Sequence, residues 1–161
     1  MQQAAKDGGV NQLVAERDYV QSYVLLGIAA TTELRDSLAF KGGTALKKVH
    51  FGSYRFSGFS EDLDFSGIDA PQGPRLEQAV RGAVAAAEEA ARRLAPLTLA
   101  IERYQEREPH PGGQEAFIVR VQFPWQRQPM VPIKIEITHD EPVMLDAPSV
   151  PIQHGYGESG Q

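Results

Sequence analysis

Phe40-Lys41-Gly42-Gly43-Thr44-Ala45-Leu46-Lys47-Lys48-Val49-His50-Phe51-Gly52-Ser53-Tyr54-Arg55-Phe56-Ser57-Gly58-Phe59-Ser60-Glu61-Asp62-Leu63-Asp64-Phe65-Ser66 is the stretch around which the chain is organised. It holds two devices in succession. Gly42 and Gly43 form a turn that follows a short apolar approach and opens an Ala/Leu/Lys helix, so that unpaired backbone N–H groups at the helix start can face an anion. Asp62-Leu63-Asp64-Phe65 then alternates polar and apolar residues as a half-buried strand does, which puts both carboxylates on one face and anchors Leu63 and Phe65 in the core. Residues two apart on a strand are separated by roughly 6.6 Å, and their side chains can converge on two divalent ions roughly 3.5 to 4 Å apart. Mg²⁺ is typically held by one or two carboxylates and completes its shell with water and phosphate oxygens, so paired acids after a phosphate cradle spell a nucleotide site. Taken alone, a Gly-Gly-Thr is more often a turn with a helix cap, and an Asp-x-Asp more often a solvated edge or loop. Their order and distance in one stretch favour the site.

On the N-terminal side, residues 1–9 read as a flexible leader. Val10 to Ala39 places Leu13, Val14, Val20, Val24, Leu25, Ile28, Leu34 and Leu38 at mostly helical intervals, with a break expected near Ala30-Thr31-Thr32 and a packing role for the whole. Lys47 and Lys48, on the short helix Thr44–Val49, read as a solvated face, and Lys41 is the better phosphate neighbour. Lys41 is not the lysine of a P-loop, because the Gly-Lys-Ser/Thr ending is missing.

On the C-terminal side, 67–74 has loop chemistry, and Arg75 to Leu94 is an Ala-rich helix whose Leu76, Val80, Val84, Ala87 and Ala91 make one apolar stripe. Three strands are expected after it, Leu97–Tyr104, Glu115–Phe123 and Val131–Thr138, in an antiparallel run. In the last, Ile133, Ile135 and Ile137 alternate with Lys134, Glu136 and Thr138, so Lys134 and Glu136 share a face and Glu136 is available as a third carboxylate. His50, His110, His139 and His154 are scattered and form no ligand pattern, and Trp125 beside Pro124 reads as a packing aromatic in a hairpin. The chain divides into the leader, a core domain over 10–141, and an irregular tail over 142–161.

Composition bounds these readings. At 161 residues and 42% hydrophobic, one domain is expected, burying about 68–70% of its unfolded surface. The absence of cysteine excludes disulfides, zinc-thiolate sites and cysteine nucleophiles, and fits a cytoplasmic protein. No apolar run approaches the roughly 20 residues of a membrane span. A formal charge of −5 argues against nonspecific nucleic-acid binding by the whole surface, so any RNA contact is local.

Gly-Gly-Thr followed by Arg-x-Ser and Asp-x-Asp resembles the first motif of the DNA polymerase beta-like nucleotidyltransferases. The wording Phe-Lys-Gly-Gly-Thr-Ala-Leu with Phe-Ser-Glu-Asp-Leu-Asp-Phe, and Asp18-Tyr19-Val20 in the helical lead-in, resemble the AbiEii/AbiGii toxin branch. The resemblance implies an α+β chain with the polymerase-beta-like fold, a mixed or antiparallel sheet with flanking helices. It implies nucleotidyl transfer from a nucleoside triphosphate to an acceptor, with tRNA or a protein as the acceptor, by the toxin of a type IV toxin–antitoxin or phage-defence system with a cognate antitoxin. The site it implies has Asp62, Asp64 and Glu136 as catalytic and Mg²⁺- or Mn²⁺-binding carboxylates. Lys41, Gly42, Gly43, Thr44, Arg55, Ser60 and Lys134 are the nucleotide- and phosphate-binding set. The loop before Asp62 repeats Phe-Ser and is longer than the family pattern, so Arg55 reads either as a phosphate-contacting arginine displaced by the insertion or as a surface arginine. The resemblance further implies a helical C-terminal domain, expected to be absent here because the tail over 142–161 shows no periodic apolar segment. Two alternatives therefore stand beside the enzyme: a truncated, non-catalytic fragment that binds nucleotide or antitoxin, and another Asp-x-Asp metal-dependent transferase such as a glycosyltransferase or phosphotransferase.

Overall fold

The computed structural model describes residues 11–51, 61–105, 113–129 and 132–154. Helix α1 (Gln12–Ala30) is capped by Asn11, whose side chain accepts the Leu13 N–H at 2.9 Å. A short helix α2 (Thr32–Arg35) follows the expected break at Thr31, and strand β1 (Leu38–Lys41) then runs into the glycine turn. Leu38 and Ala39 are therefore strand, not the end of the helix. The turn at Asp36-Ser37 reverses the chain, and the Ser37 carbonyl accepts the Ile68 N–H at 2.7 Å, which starts the pairing of β1 with its neighbour. Gly42–Ala45 forms one α-turn, α3, which widens into a π-helical turn over Leu46–Phe51.

Strand β2 (Leu63–Gly67), helix α4 (Gly73–Arg92), and strands β3 (Thr98–Tyr104), β4 (Gln114–Gln122) and β5 (Ile133–Thr138) complete the described elements. Helix α4 opens with Gly73-Pro74, where a missing proline N–H costs nothing. All five residues of its apolar stripe are buried. The strands form one sheet in the order β1-β2-β5-β4-β3. Pairs β1/β2, β4/β5 and β3/β4 are antiparallel, while β2 and β5 run parallel. The sheet is thus mixed, and the last strand in the sequence lies at its centre.

Strand alternation divides the sheet into two faces. Leu63, Phe65, Phe117, Val119, Val121, Ile133, Ile135 and Ile137 point to one side and pack under α1 and α4. The helices come close because position 27 is glycine: a Cβ there would collide with the Ala83 carbonyl. Lys41, Asp64, Ser66, Gln114, Lys134, Glu136 and Thr138 lie on the other face by the same alternation. The polar groups gather on that face, and the start of α3 lies against it at Asp64.

Candidate active site

The sheet register builds the site. Lys41 on β1 pairs with Asp64 on β2, and Asp64 pairs with Glu136 on β5. Adjacent strands lie about 4.8 Å apart, so three side chains from separate parts of the sequence form one row. The parallel β2/β5 pair is the decisive contact.

Asp64 and Glu136 stand side by side on paired strands, so their like charges work against each other. Asp64 is pushed up to about 6, first by burial, then by Glu136 and by the negative charge of Asp62, against the pull of Lys41. Asp62 is also raised, by burial and then by Glu136, with Lys134 and Arg17 opposing. Glu136 is held from two sides, by the Gln114 amide and by the Lys134 ammonium, whose Nζ is 2.5 Å from Oε1. Lys134 also sits 5.1 Å from the centre of the Tyr104 ring, a cation–π contact that fixes its direction.

The glycine turn flanks this row. Gly42 has φ +75°, and a Cβ on it would collide with the Asp64 carboxylate, so only glycine lets the turn lie against the acid. Gly42 and Gly43 are exposed, and no side chain caps the start of α3. Thr44 is buried, and its hydroxyl donates to the Asp62 carbonyl at 2.8 Å, so it ties the turn to the strand instead of facing solvent. Lys41 pairs with Glu141, which also accepts the Ser66 hydroxyl at 2.8 Å.

The sequence-derived set therefore meets in large part. Asp64, Glu136, Lys41, Gly42 and Lys134 adjoin one another, Asp62 interacts electrostatically with Glu136, and Thr44 lies beneath. Arg55 and Ser60 lie outside the described residues, as does His110. His139 turns to the helix-covered side and bonds Glu115 at 3.1 Å. Trp125 is 56% exposed and stacks on Phe123 with ring centres 4.7 Å apart. An apolar groove of about 680 Å³ opens beside the turn; Lys41 and Gly42 line it, while none of the three acids does.

One expectation is overturned. Lys48 is not on a solvated face: it is 2% exposed, and its Nζ reaches the Asp18 carbonyl at 3.0 Å, Asp18 Oδ1 at 3.1 Å and Ser22 Oγ at 2.7 Å. Lys47 Nζ meets the same Asp18 oxygen at 2.8 Å. The π-helical turn is wider than an α-turn, and two successive lysines reach one carboxylate from it. Burial raises Asp18, but Lys48 and Lys47 together hold it below its ordinary value. Lys48 is lowered by burial against the pull of Asp18. Sequence reasoning missed Gln114, which stands on the face of Glu136 by strand alternation; His139-Asp140-Glu141 could be read either as near the site or as a polar turn, and Glu141 just after β5 pairs with Lys41.

Among the described residues, no three His, Asp or Glu side chains are drawn tightly enough together to enclose a metal ion as they stand. The donor set nevertheless suits one. Asp62, Asp64 and Glu136 supply hard oxygens, and the raised Asp62 and Asp64 mark negative charge that the neighbouring lysines do not balance.

A mixed sheet whose central strands bring distant acids together beside a glycine turn is a nucleotidyltransferase type of fold. The chain belongs to the nucleotidyl transferase AbiEii toxin family of type IV toxin–antitoxin systems, whose family model matches residues 24–160. No curated protein matches the chain. Among the described residues no helix is long and apolar enough to cross a membrane.

Proposed function

We propose that this chain is a metal-dependent nucleotidyltransferase that moves a nucleoside monophosphate from a nucleoside triphosphate to a hydroxyl of RNA, in particular tRNA, or of a protein. It would act in the cytoplasm as the toxin of a system with a cognate antitoxin. The observation that carries the reading is the meeting of Asp64 and Glu136 on parallel central strands against the bare glycine turn. Nothing in the fold requires two half-buried acids to stand side by side, and their mutual repulsion is a cost that a bound cation would remove.

Asp62, Asp64 and Glu136 would hold Mg²⁺ or Mn²⁺, which when bound neutralises charge on the attacking and leaving oxygens. The backbone amides of Gly42, Gly43 and Thr44 point their positive ends at the β- and γ-phosphates, with Lys41 adding charge. Lys41 leaves Glu141 to do so, and Ser66 keeps Glu141 in place. Glu136, oriented by Gln114 and Lys134, receives the proton of the acceptor hydroxyl. The hydroxyl oxygen bonds to the α-phosphorus in line, the α–β anhydride bond breaks, and pyrophosphate leaves. Lys134 balances charge that develops beside Glu136.

The test compares α-labelled and γ-labelled nucleoside triphosphates of all four bases, with Mg²⁺, total RNA and the protein itself as acceptors, alongside Asp62→Ala. Transfer of the α-label alone, lost in the variant, is the expected result. Transfer of the γ-label alone would replace the reading with a kinase. Absence of transfer from either label would favour a chain that binds without turnover.

A further inference from the structure

Asp62 stands one residue before β2 begins and takes no part in the strand pairing that fixes Leu63 to Ser66. The sheet therefore aims Asp64 but leaves Asp62 to other contacts. Thr44 of α3 holds its carbonyl, and α1 holds the neighbouring Glu61 and the turn that continues from Thr44. Arg17, Asp18, Gln21 and Ser22 fall at i, i+1, i+4 and i+5, one stripe of a helix. Gln21 Nε2 donates to the Glu61 carbonyl at 3.1 Å, and Arg17 pairs with the Glu61 carboxylate. Asp18 and Ser22 grip Lys47 and Lys48 on the turn that continues from Thr44, and Thr44 holds the Asp62 carbonyl. Gln21 and Asp18 are 2% and 7% exposed. A helix that served only to pack would bury apolar residues at these positions, because each buried polar group must find partners.

We propose that the polar stripe of α1, led by Gln21 and Asp18, positions Asp62: Gln21 fixes the chain before it, and Asp18 fixes the glycine turn against which it rests. These are positioning residues, since they touch the backbone and the turn lysines, not the reacting atoms. The inference gives Asp62 a role that depends on the reading of the site above, while the positioning itself is a statement about residues 61–64 that can be tested with no substrate present.

The experiment uses the full chain carrying Gln21→Met, which keeps the side-chain length and deletes the donor, with Gln12→Met on the same helix as the control. Two quantities are read: amide hydrogen exchange of 61–64, and Mn²⁺ affinity by electron paramagnetic resonance. Gln21→Met is expected to speed exchange at 61–64, with β4 unchanged, and to weaken Mn²⁺ binding about tenfold, the usual effect of removing a group that orients a ligand. Arg17→Met, at the rim of the same contact, is expected to give both changes more weakly and leaves the buried residues intact. Exchange at 61–64 equal to that of Gln12→Met in both variants would overturn the proposal. Mn²⁺ binding absent even from the unmutated protein would overturn the metal reading of the site, and the exchange result would then decide the positioning alone.

Discussion

Two charge clusters adjoin the helical segment that begins at the glycine turn, and they are balanced in opposite ways. In the Asp18 cluster one carboxylate meets two ammonium groups, Ser22 takes a further hydrogen bond, and Asp18 is held below its ordinary value. In the Asp64 cluster three carboxylates gather around one direct ammonium partner, Lys134 on Glu136, and Asp62 and Asp64 are pushed up. Burial acts on both, so burial alone does not separate them. The sign of the neighbours does. A cluster that satisfies itself holds structure together, whereas one that does not is arranged for a charge arriving from outside.

The strongest way to break this contrast is to neutralise one acid in each cluster. Asp64→Asn should lower α-label transfer about a thousandfold or more, since a metal ligand acts directly on transition-state charge. Without metal, the same variant should melt no lower than the unmutated protein, because it removes a repelled carboxylate. Asp18→Asn should do the reverse and cost about 3–5 kcal/mol in urea unfolding, because it leaves a buried ammonium without its counter-ion. Similar losses of stability in both variants would dissolve the distinction.

Gly42→Ala sits between the two. The left-handed backbone costs about 1–2 kcal/mol for a residue with a Cβ, and the methyl group also displaces the Asp64 carboxylate. Transfer should therefore fall by more than this loss of stability explains, as measured at a temperature where the variant remains folded.

Acidity gives a subtler test, because the two clusters have opposite signs. Asp64 has a folded value of about 6 against 3.8 unfolded, so its effect is to lower stability as pH rises from about 4 to 6, and the loss stays constant above. Asp18 has a lowered folded value, so its stabilisation is present above pH 4 and is lost as pH falls below. On the proposed function a metal would compete with the proton at Asp64, so the rise in melting temperature on adding Mg²⁺ should be small at pH 5 and full at pH 7.5. An equal rise at both would remove Asp64 from the metal site. The smallest effect is expected at Arg120, whose exposed pair with Glu102 lies away from both clusters, so Arg120→Ala should change stability by no more than about 0.5 kcal/mol.

Much of this was legible before any coordinates. The period-two alternation of Asp62–Phe65 and of Ile133–Thr138 placed both acid-bearing strands, and the i, i+4 stripe from Leu76 located α4, because periodicity records which face is buried. Pairing partners are not written in periodicity, so the parallel contact of β2 with β5 and the antiparallel contact of β1 with β2 emerged only from the fold. The Asp18 cluster was misread for a related reason. Two successive lysines look solvated when a regular helix is assumed, and only the wider π-helical turn and the facing helix reveal where they go. The apolar positions of the lead-in helix read as packing alone, and the buried polar residues of α1 went unremarked.

The place of β5 also has a consequence for timing. A ribosome releases the chain from its N-terminus at about 5–20 residues per second, so β1 and β2, then β3 and β4, emerge as two separate hairpins. The strand that joins them comes last and enters the middle. Until it does, Asp64 has no Glu136 beside it, and the carboxylate row does not exist. The three acids of the row are therefore brought together only in the step that closes the sheet.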